Sequence, residues 1–411
     1  MSNIHKVDFL IIGGGIAGTT AAETIRGRSN GSIMIVTDDL NPLYSRVRLP
    51  DYVADKISRE KVFIKGESWY HEKELYLLRQ TSVTSLSPNE RFAHLSNGTT
   101  IQYQQLLIAT GGVVRRLSCE GSQLDGIHYL RTIEDAGSIK RAMQMANKAV
   151  VIGGGFIGLE LARCFRQKGL ETVIIMLESQ FWPSVFDYES GKMIEDTMSQ
   201  QGVTVHYNDH VKEFKGNGKV QSVNLASGKS YACDIAGIGI GILTSYPFIK
   251  ALGIQTRQGI LTDEYLQTSN PHIFAAGDVV EFYDVCRTQH NQLGNWSNAS
   301  EQGKVAALNM LGEKTVYRSV SSYVIRVFDL SIGFVGDTAV LPNTQVICRG
   351  SARSMGYMRL FLRDGVIKGA TLLNQIHEMR KVTELIKRTV KIEKHRLDLS
   401  DLNHDLESFL I

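Results

Sequence analysis

Val7-Asp-Phe-Leu-Ile-Ile12 runs without a break into Gly13-Gly-Gly15-Ile-Ala-Gly18. The first six residues are short, apolar and partly β-branched, which predicts a buried strand. The glycines then make a tight turn, and residues 19–26 follow as a helix whose Ala17, Ala21 and Ala22 permit close packing on a sheet. A second strand is predicted over residues 32–36, ending at Thr37-Asp-Asp39. In a strand, turn, helix, strand unit of this kind the first glycine closes the turn and the second lets the backbone approach a pyrophosphate. The third brings helix and strand together, with the phosphates on the positive helix N-terminus. Asp38 lies close to the ~20-residue offset expected of the acid that binds a ribose.

The unit occurs twice. Ala149-Val-Val-Ile152 leads into Gly153-Gly-Gly155-Phe-Ile-Gly158, a helix over residues 159–167 and a strand over residues 172–177. A repeat of this element in the same context predicts two dinucleotide sites and an α/β fold with two Rossmann-like, three-layer nucleotide-binding domains.

The rest of the composition narrows the class. A length of 411 residues suits two or three domains, and 43% hydrophobic with 21% charged residues is the balance of a globular protein. The apolar runs fall far short of the ~18 residues of a membrane helix. Because the first apolar run ends in a glycine turn and not a cleavage site, a secretory signal is not expected and the cytoplasm is the expected location. A net charge of +3 does not argue for nucleic acid. Cys119, Cys164, Cys233, Cys286 and Cys348 are scattered, with no CxxC or CxxxxC spacing. Cys164, Cys233 and Cys348 read as core residues, and Cys286 as close to the second of the motifs below. His206 and His210 do not have the helical context of a metal pair.

Three further motifs carry a family resemblance. They are Leu106-Leu-Ile-Ala-Thr-Gly111, Thr268-Ser-Asn-Pro-His-Ile-Phe-Ala-Ala-Gly277-Asp278 and Trp296-Ser-Asn-Ala-Ser-Glu-Gln-Gly303. With the two glycine turns, in this order, the chain resembles the FAD-dependent pyridine nucleotide-disulfide oxidoreductases. Within them it looks like the branch of rubredoxin reductases, ferredoxin reductases and the N-terminal part of assimilatory nitrite reductases. The resemblance implies FAD at the first turn and NADH, with NADPH as the alternative, at the second. It implies an FAD domain over residues 1–113 and 246–315, an inserted NAD(P)H domain over 114–245, and a small α+β C-terminal domain over 316–411. In that last part strands are expected at 323–328, 358–363 and 366–373, and a helix at 375–390.

The FAD residues implied are Gly13, Gly15, Ile16, Ala17, Gly18, Asp38, Arg46, Val83, Ala109, Thr110, Gly111, Gly277, Asp278 and Trp296. Arg46, in a segment similar to the family's YSRxxL, would neutralise part of the pyrophosphate. Asp278 would accept hydrogen bonds from the ribityl chain, and Trp296 opens the helix at the flavin's pyrimidine end. The nicotinamide-nucleotide residues implied are Gly153, Gly155, Phe156, Ile157, Gly158 and Glu178. In NADH-dependent relatives an acid ends the second strand of this fold, but here Met176 fills the slot. Glu178 has the same strand parity, and residues 171–184 hold no arginine for a 2′-phosphate, which favours NADH.

Glu160 matches a family glutamate beside the nicotinamide and is the catalytic candidate. In ferredoxin reductases it pairs with a lysine, where this chain has Asp51, so that partner is missing. The family's redox cysteine pair is missing too, and residues 41–55 hold no cysteine. Electrons are therefore expected to pass from NADH through FAD straight to an external acceptor, a small redox protein such as rubredoxin or ferredoxin. The alternatives are an NADH oxidase or small-molecule or quinone reductase, and a flavoprotein whose redox state governs assembly, as in apoptosis-inducing-factor relatives. Residues 315–396 hold 14 Lys/Arg against 6 Asp/Glu, including Arg380, Lys381, Lys387, Arg388, Lys391 and Lys394 on or after the last helix. A basic face there would suit an acidic electron carrier.

Overall fold

The Val7–Ile12 run forms the buried end of the strand Ile4–Ile12, near the middle of a seven-stranded sheet. The computed structural model describes residues 4–244, 247–250, 253–351, 356–392, 399–401 and 404–410. Lys394 lies outside them. The chain divides into two compact units: residues 1–47, 59–113 and 242–319 form one, and residues 48–58, 114–241 and 320–411 the other.

In the first unit, strand Ile4–Ile12 pairs in parallel with Ile33–Val36 on one side and Thr100–Ile108 on the other. Thr100–Ile108 is shared along its length: its first residues pair antiparallel with Phe92–Leu95, and its last with Ile273–Ala275 in parallel. The registers Ile12↔Val36, Ile12↔Ile108 and Ala275↔Ile108 bring four carboxyl ends to one edge of the sheet. That edge is where open α/β sheets bind ligands. Helix Ile16–Arg26 buries Ala17, Ala21, Ala22 and Ile25. A methyl group on Gly303 would stand 2.1 Å from the Ala17 carbonyl, so only glycine lets helix Trp296–Met310 lie so close.

In the second unit a five-stranded parallel sheet has the order Val203–His206, Glu171–Ile175, Lys148–Ile152, Ile235–Ile238, Ile127–Tyr129. Its strands also end in line, through Ile175↔His206, Ile175↔Ile152 and Ile152↔Ile238. Helix Ile133–Met143 starts at a reciprocal cap: Asp135 N donates to Thr132 Oγ1 at 3.1 Å, and Thr132 N to the Asp135 carboxylate at 2.8 Å.

The same unit holds a five-stranded antiparallel sheet in the order Ser322–Val327, Leu330–Gly336, Val366–Leu373, Gly356–Arg363, Gln345–Ser351. Helix Met379–Lys387 covers it with Val382 and Leu385 against Val335 and Leu372. The expected helix over 375–390 is thus shorter. It opens as the 3-10 turn Ile376–Glu378 and ends at Lys387, because Thr389 takes a φ of 55°. The expected strand over 172–177 also stops early, at Ile175; Met176 N still donates to His206 O on the neighbouring strand, but its carbonyl accepts from Asp209 N in the loop beyond.

Candidate functional site

In the first unit the glycine turn can be judged by what a β-carbon would meet. Gly13 has a φ of 119°, and its β-carbon would fall 2.1 Å from Ala109 O; that of Gly18 would fall 2.0 Å from Gly13 O. Both positions therefore require glycine. Gly15 is different: the nearest atom to its added carbon is Arg46 Nη1, at 3.9 Å. Backbone N–H groups at a helix start and an opposing guanidinium make a seat for a phosphate there.

Several of the remaining FAD candidates lie at or near the same edge. Ala109, Thr110 and Gly111 follow strand Thr100–Ile108 and border Gly13, while Gly277 follows Ile273–Ala275 and comes within 3.4 Å of Ala17 by its added carbon. The Gly277 N–H donates to the buried Gln302 side chain at 2.8 Å. Ile16 and Ala17 open the first helix, and Asp278 lies beside Gly294. Val83 is buried at the start of strand Val83–Ser87, two residues after Thr81, whose N–H donates to Thr37 O. Trp296 is half-buried at the first position of its helix, capped by Asn295 accepting from Asn298 N at 3.0 Å.

Two acids follow the second strand, and the structure tells them apart. Asp39 is committed within the protein: it accepts from Tyr44 Oη at 2.9 Å and lies 3.6 Å from Arg46 Nη2. Burial pushes the Tyr44 hydroxyl up, so it remains a donor. Asp38 is exposed. Tyr44 and Asp39, which orient the expected Arg46, were not among the expected site residues; their signal was a tyrosine two residues before the arginine.

The second turn has the same form. Gly153 has a φ of 99° and a β-carbon position 2.5 Å from Gly239 O, and that of Gly158 is 1.9 Å from Gly153 O. Gly155 is again open, with Gly239 O at 3.8 Å. Gly239 is an addition to the expected set: its own β-carbon would meet Gly158 N at 2.7 Å, and its mark in the sequence is the glycine alternation Gly237-Ile-Gly239-Ile-Gly241.

Past this turn one expectation needs correcting. Glu178 was placed by strand parity, but the strand ends at Ile175, so parity does not apply; Glu178 is an exposed turn residue whose carbonyl accepts from Asn208 N. Met176 is buried, with its thioether where a Gly154 side chain would be (Cε at 2.2 Å). Phe156 opens the helix and packs tilted against Trp182 and edge-on against Tyr323 and Phe334, at centroid distances of 5.2, 5.5 and 5.7 Å, while Ile157 beside it is exposed.

Glu160 does have a partner, supplied from its own helix. Arg163 donates to Glu160 Oε2 from Nε at 2.8 Å and from Nη2 at 2.5 Å, and Nη2 lies 3.7 Å from Asp51. Burial raises the Glu160 carboxyl above its usual range, and Arg163 opposes that shift.

All five cysteines are free. Cys164 is buried with its thiol donating to Pro50 O at 3.3 Å, and burial pushes it up to about 12; Cys233 behaves likewise. Cys348, expected in the core, is exposed: it lies on the edge strand between the inward Ile347 and Arg349. Cys286 is exposed in a hairpin turn held by Asp284. His206 bonds the Asp209 carboxylate at 2.9 Å.

Part of the basic excess of the C-terminal part is internal. Arg349 donates to Leu399 O and His404 O, Arg359 to Val185 O, and Arg363 to Asp337. On the last helix Lys381 bonds Glu378 and Asp405, and Lys387 and Arg388 face Glu384. Arg380 and Lys391 are exposed. Among the described residues no helix is long and apolar enough to cross a membrane.

Two sheets whose central strands run parallel, each with a glycine turn opening a helix at its carboxyl edge, define a two-dinucleotide flavoprotein. Residues 7–303 match the pyridine nucleotide-disulphide oxidoreductase family, and the chain belongs to it. It is 29% identical, over 97% of both chains, to the biphenyl dioxygenase system ferredoxin–NAD(+) reductase component of Paraburkholderia xenovorans. It is 28% identical to the NADH-rubredoxin oxidoreductase of Clostridium acetobutylicum, over 93% of this chain and 95% of that one. The crystal structure of the ferredoxin reductase for the CYP199A2 system from Rhodopseudomonas palustris superimposes with a TM-score of 0.90 at 27% identity, over 98% of this chain and 99% of that one. The protein is an FAD-dependent NAD(P)H oxidoreductase.

Proposed function

We propose that this enzyme takes electrons from NADH and passes them through FAD directly to a small electron-carrier protein of the ferredoxin or rubredoxin kind. The observation that carries the reading is chemical: the segment after the second strand, where disulfide-using members of the family hold their thiols, carries Tyr44, Arg46 and Asp51 and no cysteine. With no thiol relay there, the electrons leave from the cofactor itself. Bound FAD supplies the chemistry, accepting a hydride equivalent and releasing electrons singly. The relatives, a ferredoxin–NAD(+) reductase component and an NADH-rubredoxin oxidoreductase, support a carrier as the acceptor.

The protein's own residues do the holding. Gly13, Gly15 and Gly18 with Arg46 would seat the FAD pyrophosphate, Asp38 its adenosine ribose, and Asp278 its ribityl chain, with Val83, Ala109, Thr110, Gly111, Gly277 and Trp296 lining the rest. Gly153, Gly155 and Gly158 would seat the nicotinamide dinucleotide, with Glu160 at its nicotinamide end. The exposed Glu178 supports NADH, because a 2′-phosphate there would meet a carboxylate and no arginine.

We place the protein in the cytoplasm, a reading supported by five free thiols. Its carrier would be acidic, steered by Arg380, Lys391 and their neighbours, so that reduction of the carrier slows as salt is added. Rapid reduction of the protein-bound flavin by NADH, followed by its reoxidation by purified carriers, tests the whole reading.

A further inference from the structure

The Glu160 carboxylate is held through one of its two oxygens. Both guanidinium bonds from Arg163 fall on Oε2, and neither on Oε1. The guanidinium is itself fixed: Nη1 donates to Gln167 at 3.1 Å, Nη2 lies 3.7 Å from Asp51, and the side chain is only 6% exposed. Asp51 in turn sits on a segment tied to the neighbouring helices, by Cys164 Sγ to Pro50 O and by Lys140 to Asp55 at 2.5 Å. The ionisable groups facing Glu160 are Arg163 and Cys164 from its own helix and Asp51 and Lys56 from residues 48–58.

We propose that Arg163 is a positioning residue, its guanidinium set between Glu160 and Asp51 so that the Glu160 carboxylate stays charged and aimed at the nicotinamide ring. This rests on the reading of Glu160 as the nicotinamide-side residue. A buried carboxylate without a cation favours its neutral form, and burial already raises Glu160. With the arginine in place it presents a fixed negative charge, which favours the ring when oxidised and positively charged over the ring when reduced. Arg163 thereby sets the preference between the two nucleotide states without touching either.

The test uses the FAD-loaded protein and two probes, NAD+ and ADP-ribose, which share every group except the nicotinamide. Equilibrium dialysis gives the ratio of their affinities from mildly acidic to mildly alkaline pH. The native protein is expected to favour NAD+ by a ratio nearly flat with pH. Arg163→Gln should lower the ratio roughly tenfold, the equivalent of about one pKa unit of interaction, and make it rise with pH as Glu160 titrates. Glu160→Gln should lower it as far with no pH dependence. Because position 51 faces the guanidinium, Asp51→Lys added to Arg163→Gln should restore both value and flat profile; Arg163→Lys, which keeps charge but not the fork, should fall between. If Arg163→Gln does not fold, the Arg163→Lys variant and the double variant decide. An Arg163→Gln or Arg163→Lys ratio equal to native, beside a lowered Glu160→Gln ratio, would overturn the positioning role alone. An unchanged Glu160→Gln ratio would remove the nicotinamide-side reading and the proposal with it.

Discussion

Arg46 stands over Gly15: its Nη1 is 3.9 Å from the point where a β-carbon on that glycine would lie, and its other terminal nitrogen is 3.6 Å from Asp39. The arginine is thus aimed from one side and open on the other, toward the start of the first helix. Arg46→Ala should weaken FAD binding by about 1.5–3 kcal/mol, the worth of hydrogen bonds to a charged group. Flavin absorbance per protein after dialysis reads this directly, and full retention of FAD by the variant would remove Arg46 from the site. Tyr44→Phe, which frees Asp39 to draw the guanidinium inward, should give a smaller loss in the same direction.

The glycines of the two turns differ in what they tolerate. A methyl group at Gly18 would meet Gly13 O at 2.0 Å and Ile11 at 3.0 Å, and backbone cannot give way as a side-chain tip can. Gly18→Ala should cost at least about 1–3 kcal/mol of stability and FAD binding with it. At Gly154 the obstacle is the far end of Met176, so Gly154→Ala should cost less. Thermal unfolding of the two variants side by side checks the order; equal losses would mean that the Met176 side chain cannot move.

Much of this was readable in the residues because both turns depend on local rules: an apolar run, glycines at fixed spacing, and a helix of small residues. What the sequence did not disclose depends on contacts between distant segments or on where an element stops. Asp38 and Asp39 are adjacent in the chain, and the contacts of Asp39 with Tyr44 and Arg46 set it apart from the exposed Asp38. Glu178 was placed by strand parity, which fails because the backbone leaves the sheet at Ile175. Glu160 lacked the expected partner at position 51, and the cation came instead from one helical turn further on, as Arg163. The lysines and arginines counted in the basic excess of residues 315–396 include Arg349, Arg359 and Arg363, which bond groups inside the unit.

The Met176 slot makes a prediction of gain. Glu178→Gln should weaken NADH binding by a few fold, the loss of one charge-assisted hydrogen bond. Met176→Asp, which puts a carboxylate at the end of the strand and removes the thioether over Gly154, should strengthen NADH binding while leaving NADPH weak. Titration of both nucleotides against flavin reduction measures this. An increase in NADPH affinity on Met176→Asp would contradict the placement of the ribose there.

Asp187 reports on the second unit's stability through pH. It caps helix Tyr188–Gln200, accepts from Ser190 N at 3.0 Å and Tyr357 Oη at 2.7 Å, and lies 3.3 Å from Arg359. Burial alone would raise its carboxyl, but the bonds from Ser190, then Tyr357 and Arg359, hold it below its ordinary 3.8. A depressed carboxyl stabilises the fold above its unfolded pKa, and that contribution is lost as pH falls through the folded value. Asp187→Ala should therefore cost about 0.5–2 kcal/mol at neutral pH, the usual worth of such a cap, and progressively less in acid below 3.8. A gap between variant and native protein that is constant with pH would show that the carboxylate charge is not what stabilises the helix.

The central claim is that electrons enter from NADH and leave from the flavin to a carrier, with no protein thiol between. Stopped-flow mixing measures it: the FAD-loaded protein is reduced anaerobically with NADH, then mixed separately with oxidised ferredoxin, oxidised rubredoxin and air-saturated buffer. Reoxidation by a carrier should be fast, should slow as salt is added, and should survive replacement of Cys286 by serine, while reoxidation by dioxygen should lag well behind. Reoxidation fastest with dioxygen and indifferent to both carriers would contradict the account.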